Sequence, residues 1–375
     1  MVAAKGGRLE ADVLVVGGGP AGLSAAIAAG QRGLEVIVAD SARPPIDKAC
    51  GEGLMPNGVA ALNDLGVRPP RGEAMPFHGI RFVAQGSSAE ARFHGVAGLG
   101  IRRTTLHRLL VARAGALGVR FLWGTRARGM TSEGVVFDTG VVASHWIVGA
   151  DGERSQMRRW AGLGGSGSRL QRFGFRRHVR VAPWTDFVEV YWGRGGQAFV
   201  TPVGHSEVCI AMLSRDPHLR FDHLLLVCPE LARHVAGAPV TTPERGSTSA
   251  SRRLRAVTRG RVALIGEASG SVDAVTGEGL SMIFQDALAL GDALAVGDLA
   301  RYEVAHRRVG RLPGAMARLL LAMDRSPWLC RRGMRALAAE PSLFSRLLAL
   351  HAEASRSAEA AVQCFCALGW RLLTA

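Results

Sequence analysis

The 375-residue sequence is 48% hydrophobic and 21% charged, which supplies a substantial core and excludes a disordered chain. Its 46 lysines and arginines against 31 acids give a formal charge of +15. Arginine carries most of that excess, spread along the whole length without a basic block or interleaved aromatics. This argues against nucleic acid as a partner and for an anionic cofactor, an acidic substrate or a membrane surface.

Asp12–Val16 (DVLVV) has the β-branched character of a buried strand, and Ala21–Gln31 that of an alanine-rich helix closed by Arg32-Gly33. Glu35–Ala39 (EVIVA) is the next parallel strand, so the first forty residues form one βαβ unit. Ile80–Phe93 is expected to be a hairpin around Gly86-Ser87-Ser88, Leu106–Leu117 a helix, and Val119–Val148 a meander. A second sheet is expected over Arg172–Leu213, then a buried strand at Arg261–Gly266, a helix at Gly279–Leu294 and helices throughout from Tyr302. The six cysteines are scattered, Cys364 and Cys366 are too close to pair, and no Cys-x-x-Cys suggests a metal site. That usage, with no signal-peptide core in the first ten residues, fits the cytoplasm.

Between the first strand and helix lies Gly17-Gly18-Gly19-Pro20-Ala21-Gly22. Gly17 permits a tight turn, Gly19 lets a pyrophosphate approach the backbone, and Gly22 lets helix and strand pack closely. Pro20 and Ala21 open the helix, whose free N–H groups face the phosphates. Asp40 closes the second strand, where a carboxylate can accept the ribose hydroxyls. The pattern specifies a dinucleotide without distinguishing NAD from FAD.

Two later segments make that distinction. Gly149-Ala150-Asp151-Gly152-Glu153-Arg154-Ser155-Gln156-Met157-Arg158 resembles the GADGxxSxxR segment of the p-hydroxybenzoate hydroxylase superfamily. Gly266-Glu267-Ala268-Ser269-Gly270, continuing to Thr276-Gly277-Glu278-Gly279-Leu280, resembles that superfamily's flavin segment. The resemblance implies FAD, with Asp151 on the pyrophosphate and adenosine side and Gly266 to Gly270 around the ribitol. It also places Gly277, Gly279 and Leu280 beside the flavin's pyrimidine edge. Arg103 falls where relatives carry a cofactor-contacting arginine, and Glu267 stands where they have aspartate. Cys50-Gly51-Glu52-Gly53-Leu54 resembles the CGEGL element of the geranylgeranyl reductase-like branch. There the cysteine lies near the flavin's reactive face, so Cys50 and Glu52 are the candidate catalytic residues.

The resemblance implies an α/β fold with an α+β insertion. A Rossmann-like GR2-type FAD-binding domain (8–75, 98–160 and 255–305) would surround an antiparallel substrate-binding sheet (76–97 and 161–254), with C-terminal helices over 306–375. Trp184, Tyr191, Trp192 and Phe199 are candidates for the substrate pocket, as is Pro202, the one residue retained from the YxWxFP element of geranylgeranyl reductases. His178 and His205 are candidate acid–base groups. The WxWxIP motif of flavin-dependent halogenases is absent, as is a second glycine-rich unit for a nicotinamide domain. The expected activity is therefore hydroxylation of a hydrophobic or aromatic molecule, in secondary metabolism, with NADPH or NADH as transient reductant. O2 would be activated as a flavin C4a-hydroperoxide. The alternative is saturation of a prenyl or other alkene. MARLLLAM (316–323) and LFSRLLAL (343–350) in the tail mix leucine with arginine, either as packing helices or as a peripheral membrane face.

Overall fold

A computed structural model of the chain describes residues 9–84, 86–164, 171–352 and 358–374. The strand Leu9–Val16 ends in four buried residues, because its apolar half lies in the middle of a parallel sheet covered on both faces. Its neighbours are Gly140–Gly149 on one side and Val36–Asp40 on the other. Val262–Leu264 and Arg120–Trp123 extend the parallel order outward. The meander Ala127–Met130, Gly134–Phe137 and Gly140–Gly149 joins the same sheet antiparallel. Helix Pro20–Gly30 is buried almost throughout, which explains its run of alanines: it packs against helices Arg103–Ala116 and Gly279–Ala295 at close range.

The second sheet has seven strands, in the order Arg245–Ala250, Gln171–Val179, Glu207–Ser214, Gly196–Gly204, Val188–Gly193, Gly79–Ala84 and Ser87–Arg92. The expected sheet is antiparallel, but Gly79–Ala84 runs parallel to Val188–Gly193. No hairpin constrains that pair, since the chain between them passes through the other sheet. One face is covered by two short helices that composition did not announce, Phe221–Val227 and Pro229–Val235, which bury Phe221, Cys228, Leu231 and Val235. The other face packs against the C-terminal helices.

Those helices are Leu299–Arg325, Pro327–Ala339, Pro341–Ala352 and Ala358–Thr374. The expected helical tail is thus present, apart from 353–357, which lie outside the described residues. A small third sheet, Gly53–Leu54, Gly98–Gly100 and Met75–Phe77, packs against Gly196–Gly204 of the second. A Cβ on Gly100 would fall 1.8 Å from the Pro202 carbonyl oxygen, so the contact admits only glycine. No helix among the described residues is long and apolar enough to cross a membrane.

Candidate functional site

The three glycine-rich segments converge on one cavity of about 2090 Å³ between the two large sheets. Gly17, Gly19, Pro20, Ala21, Asp40, Arg103, Asp151, Gly266, Glu267, Gly277, Gly279 and Leu280 all line it. Gly17 has φ +117°, and a Cβ there would meet the Ala150 carbonyl oxygen at 2.3 Å, so the first and second motifs touch through backbone. A Cβ on Gly266 would lie 2.7 Å from that of Ala21, which brings the third motif onto the same helix start.

This wall fits a bound dinucleotide. Gly19 and Gly279 face open space, and a methyl added at either would meet nothing within 4 Å. Neither helix N-terminus there has a side-chain cap, leaving N–H groups for phosphate oxygens. Arg103 lines the cavity and its Nε is buried without a hydrogen-bond partner among the described residues, as a cation awaiting an anion would be. The carboxylate of Asp40 accepts from Gly18 N–H at 2.6 Å and Ala42 N–H at 2.7 Å, so it also braces the glycine loop.

Asp151 is mostly occupied: it accepts from Ser155 Oγ at 2.5 Å and from the Gln156 and Met157 N–H groups, capping the helix Gln156–Trp160. Glu267, which replaces the family's aspartate, reaches across to Lys48 at 2.5 Å. Arg158, the arginine ending the second motif, donates to the carbonyls of Glu153, Glu267 and Ala268 and so ties the second motif to the third.

Residues 10–297 match the FAD-binding domain family. The chain belongs to that family. It is therefore an FAD-dependent oxidoreductase, and the glycine-lined cavity has the residues that would hold FAD. The chain is 30% identical to a menaquinone reductase of Mycobacterium tuberculosis over 321 residues, 78% of each chain. It is 26% identical to digeranylgeranylglycerophospholipid reductase 1 of Methanothermobacter thermautotrophicus over 330 residues, 80% of this chain and 81% of that one. Among solved structures, Pseudomonas aeruginosa PqsL superposes with TM-score 0.74 at 21% identity, covering 84% of this chain and 96% of the other. A geranylgeranyl bacteriochlorophyll reductase-like protein of Thermoplasma acidophilum gives 0.72 at 20% identity, covering 98% of both. At those identities the structural likeness speaks for fold alone.

Beside the cradle, Cys50 and Glu52 both stand on the cavity wall, Cys50 half-buried and Glu52 buried. Glu52 is 1% exposed and has φ +59°, the one positive φ outside glycine among the described residues. A side chain in that region costs about 1–2 kcal/mol, so the surroundings must impose it. Its Oε1 accepts from Arg103 N–H at 2.9 Å and its Oε2 lies 2.6 Å from His178 Nε2. Arg176 Nη1 is 3.0 Å from His178 Nδ1, and a guanidinium can only donate. Nδ1 must therefore accept, so Nε2 carries the hydrogen and donates to Glu52. The Glu52 N–H in turn donates to Cys50 Sγ at 3.3 Å.

Glu52, His178 and Cys209 place donor atoms within 4.8 Å of one another, the spacing of a metal site. Their protons already satisfy them. Burial, then the charge of Glu52, pushes the Cys209 thiol well above its ordinary value, and it donates to the Cys50 carbonyl at 3.6 Å. With the Arg176 guanidinium alongside, the cluster is a hydrogen-bonded clamp on the Cys50 loop. Of the two histidines singled out in the sequence, His178 acts in this clamp and His205 stands in the turn Gly204–Glu207, outside the cavity lining. Glu52→Gln is expected to set an amide N–H against the His178 N–H and to cost about 1–3 kcal/mol. Urea denaturation reads that loss, and faster alkylation of Cys50 reads the loosened loop.

Strand alternation sorts the pocket candidates. Val188, Val190 and Trp192 point to the face of the C-terminal helices, whereas Tyr191 points to the opposite face. There Tyr191 Oη and Trp184 Nε1 both donate to buried Glu189, at 2.7 Å each. Phe199 lines the cavity. Trp192 packs behind Phe82, with ring centroids 5.8 Å apart, and Pro202 lies under the small third sheet. Apolar residues of the tail complete the lining: Met316, Leu320, Leu337, Phe344, Leu347 and Leu368 extend the cavity far beyond the cofactor cradle. Sequence periodicity identifies these as core, and nothing local says which cavity they face.

Behind the Gly266–Ser269 turn, His306 Nδ1 lies 2.9 Å from Asp286 Oδ2. Burial, opposed by His306, raises the Asp286 carboxyl. For His306 burial pulls downward, but the hydrogen bond and charge of Asp286 outweigh it and hold the imidazole above its ordinary 6.5. Both shifts make the folded state bind more protons than the unfolded chain. Stability is then full for His306 below pH 6.5 and is lost as pH rises through the raised value, and Asp286 has the same sign. The thermal midpoint is expected to fall from about pH 6 to about pH 8, with a flatter slope in His306→Gln.

Proposed function

We propose that this protein is a reductase that saturates a carbon–carbon double bond in a long apolar, prenyl-like substrate, with NADPH or NADH as electron donor. The observation that carries this reading is the continuity of the cavity. It runs from the glycine cradle past Cys50 into a channel walled by Phe82, Val190 and Phe199 of the sheet and by leucines and methionines of the tail helices. A volume of about 2090 Å³ exceeds the ~300–1,000 Å³ of common small-ligand sites, as needed for a dinucleotide and an extended chain together. Two of the relatives are named as reductases, of menaquinone and of a digeranylgeranyl lipid.

FAD, when bound, supplies the two-electron transfer to one alkene carbon. Saturation also needs a proton at the adjacent carbon, and in this reading Cys50 gives it. Cys50 lines the cleft, and the Glu52 N–H that its Sγ accepts would stabilise the charge left on sulfur. The apolar walls exclude water from that transfer. The Arg176–His178–Glu52 clamp holds the loop so that the thiol does not swing away.

The test uses the purified holoenzyme, reduced without oxygen and given a polyprenyl quinone or a geranylgeranyl lipid. The expected product has gained two hydrogens. A product that forms only when O2 is admitted and has gained an oxygen atom would overturn the reading in favour of hydroxylation. Cys50→Ala is expected to retain flavin and lose roughly 10²–10⁴-fold in kcat.

A further inference from the structure

We infer that the outer faces of helices Pro327–Ala339 and Ala358–Thr374 form a docking surface for an anionic lipid bilayer. The inference rests on the apolar substrate proposed above, since it supplies that substrate's route. Helix Pro327–Ala339 exposes Trp328, Arg331, Arg335 and Ala338 along one stripe and turns Met334 and Leu337 inward. Its neighbour Ala358–Thr374 exposes Val362, Cys366, Gly369 and Trp370 and turns Leu368 inward. Trp328 is 53% exposed, Val362 62% and Trp370 67%, large apolar side chains that a water-facing helix would ordinarily bury.

The charge is one-sided. Residues 304–375 contain eleven arginines, no lysine and four acids. Two of those acids are already engaged: Glu340 by Arg346 and Arg371, and Asp324 by Arg215. No salt bridge joins Arg331 or Arg335 to an acid among the described residues. Tryptophan beside arginine, with the Arg332 guanidinium 4.9 Å from the Trp328 ring centroid, suits the headgroup region of a bilayer, where an aromatic body sinks and a cation meets phosphate. The inward faces of these two helices wall the cavity through Leu337, Leu368 and Leu372. A nucleic acid or an acidic protein would account for the arginines, but not for the exposed tryptophans over a lipid-sized channel.

The holoenzyme is sedimented with vesicles of phosphatidylglycerol and phosphatidylcholine, and with phosphatidylcholine alone, without substrate. Binding is expected to the anionic vesicles, to weaken with salt, and to be slight without phosphatidylglycerol. Trp328→Ser with Trp370→Ser, and Arg331→Glu with Arg335→Glu, should each weaken it roughly tenfold or more. Arg233→Glu, on the helix behind the opposite sheet face, should leave it unchanged. Flavin content and thermal midpoint check that each variant is folded. Should a variant fail to fold, quenching of the wild-type tryptophans by brominated lipid tests the same contact. Absence of binding to anionic vesicles, binding indifferent to both double variants, or no quenching overturns the inference. Because no turnover is measured, failure of the proposed reaction would leave these results standing, and failure of docking would leave the reaction test standing.

Discussion

Replacing Gly22 with alanine is expected to strip the protein of flavin and lower its thermal midpoint by several degrees. A Cβ at this position would lie 1.8 Å from the Gly17 carbonyl oxygen and 3.1 Å from Val15 Cγ1. No side-chain rotation relieves that clash, because the principal obstacle is backbone. The Gly17 backbone is itself fixed, its N–H donating to the Ala39 carbonyl at 2.8 Å. Helix and strand must therefore separate, at about 3 kcal/mol, the upper end of overpacking costs. Separation also spoils the helix N-terminus that receives the pyrophosphate. Gly19→Ala is the contrasting variant: its methyl meets nothing within 4 Å, so the fold tolerates it, yet it projects into the cofactor's space. Scanning calorimetry with flavin absorbance per protein separates the two. Gly22→Ala should lose both stability and flavin, and Gly19→Ala flavin alone. A Gly22→Ala protein with wild-type flavin content and midpoint would sink the packing argument.

The cofactor cradle was legible in the sequence because its requirements are local. A turn that needs positive φ, or a helix start that needs an open face, is written in a few consecutive residues, as at Gly17–Gly22 and Gly277–Leu280. The clamp on Cys50 was not legible as a unit. Glu52 and His178 are 126 positions apart, and each alone is an ordinary polar residue. Arg172 and Arg176 carry no signal of their own in the sequence. Arginine is mostly exposed, but alternation along Gln171–Val179 turns Arg172, Arg176 and His178 to the cofactor side of the sheet, where all three are buried. The same alternation separates Tyr191 from Trp192. Their order in the strand was evident, but which face lies toward the cavity depends on the packing of helices from opposite ends of the chain. Helices Phe221–Val227 and Pro229–Val235 escaped for want of length, since seven residues carry too few turns for a periodic signal.

The largest stability loss is expected at Asp273. Its carboxylate meets Arg172 Nη1 at 3.0 Å with both side chains 3% exposed, and the same oxygen accepts the Val275 N–H at 3.0 Å. Arg172 also donates to Gln197, whose amide donates to Asp324 of the long helix Leu299–Arg325. One buried arginine thus fastens the second large sheet to the turn leading into Gly277–Leu280 and, through Gln197, to the tail. Asp273→Ala leaves that guanidinium buried and uncompensated, which costs about 3–5 kcal/mol. Asp273→Asn keeps an acceptor for Val275 but not the charge, so its loss should be smaller. Arg172→Met combined with Asp273→Leu should cost less than the two single changes added, because the desolvation of both charges is recovered. Urea unfolding of the wild type, Asp273→Ala, Asp273→Asn, Arg172→Met, Asp273→Leu and the double variant tests this. A loss below about 1 kcal/mol in Asp273→Ala, or strict additivity in the double variant, would mean the pair does not act as the fastening. Flavin affinity should follow stability in the single variants, since the turn that Asp273 caps is the one that presents the third glycine segment to the cofactor.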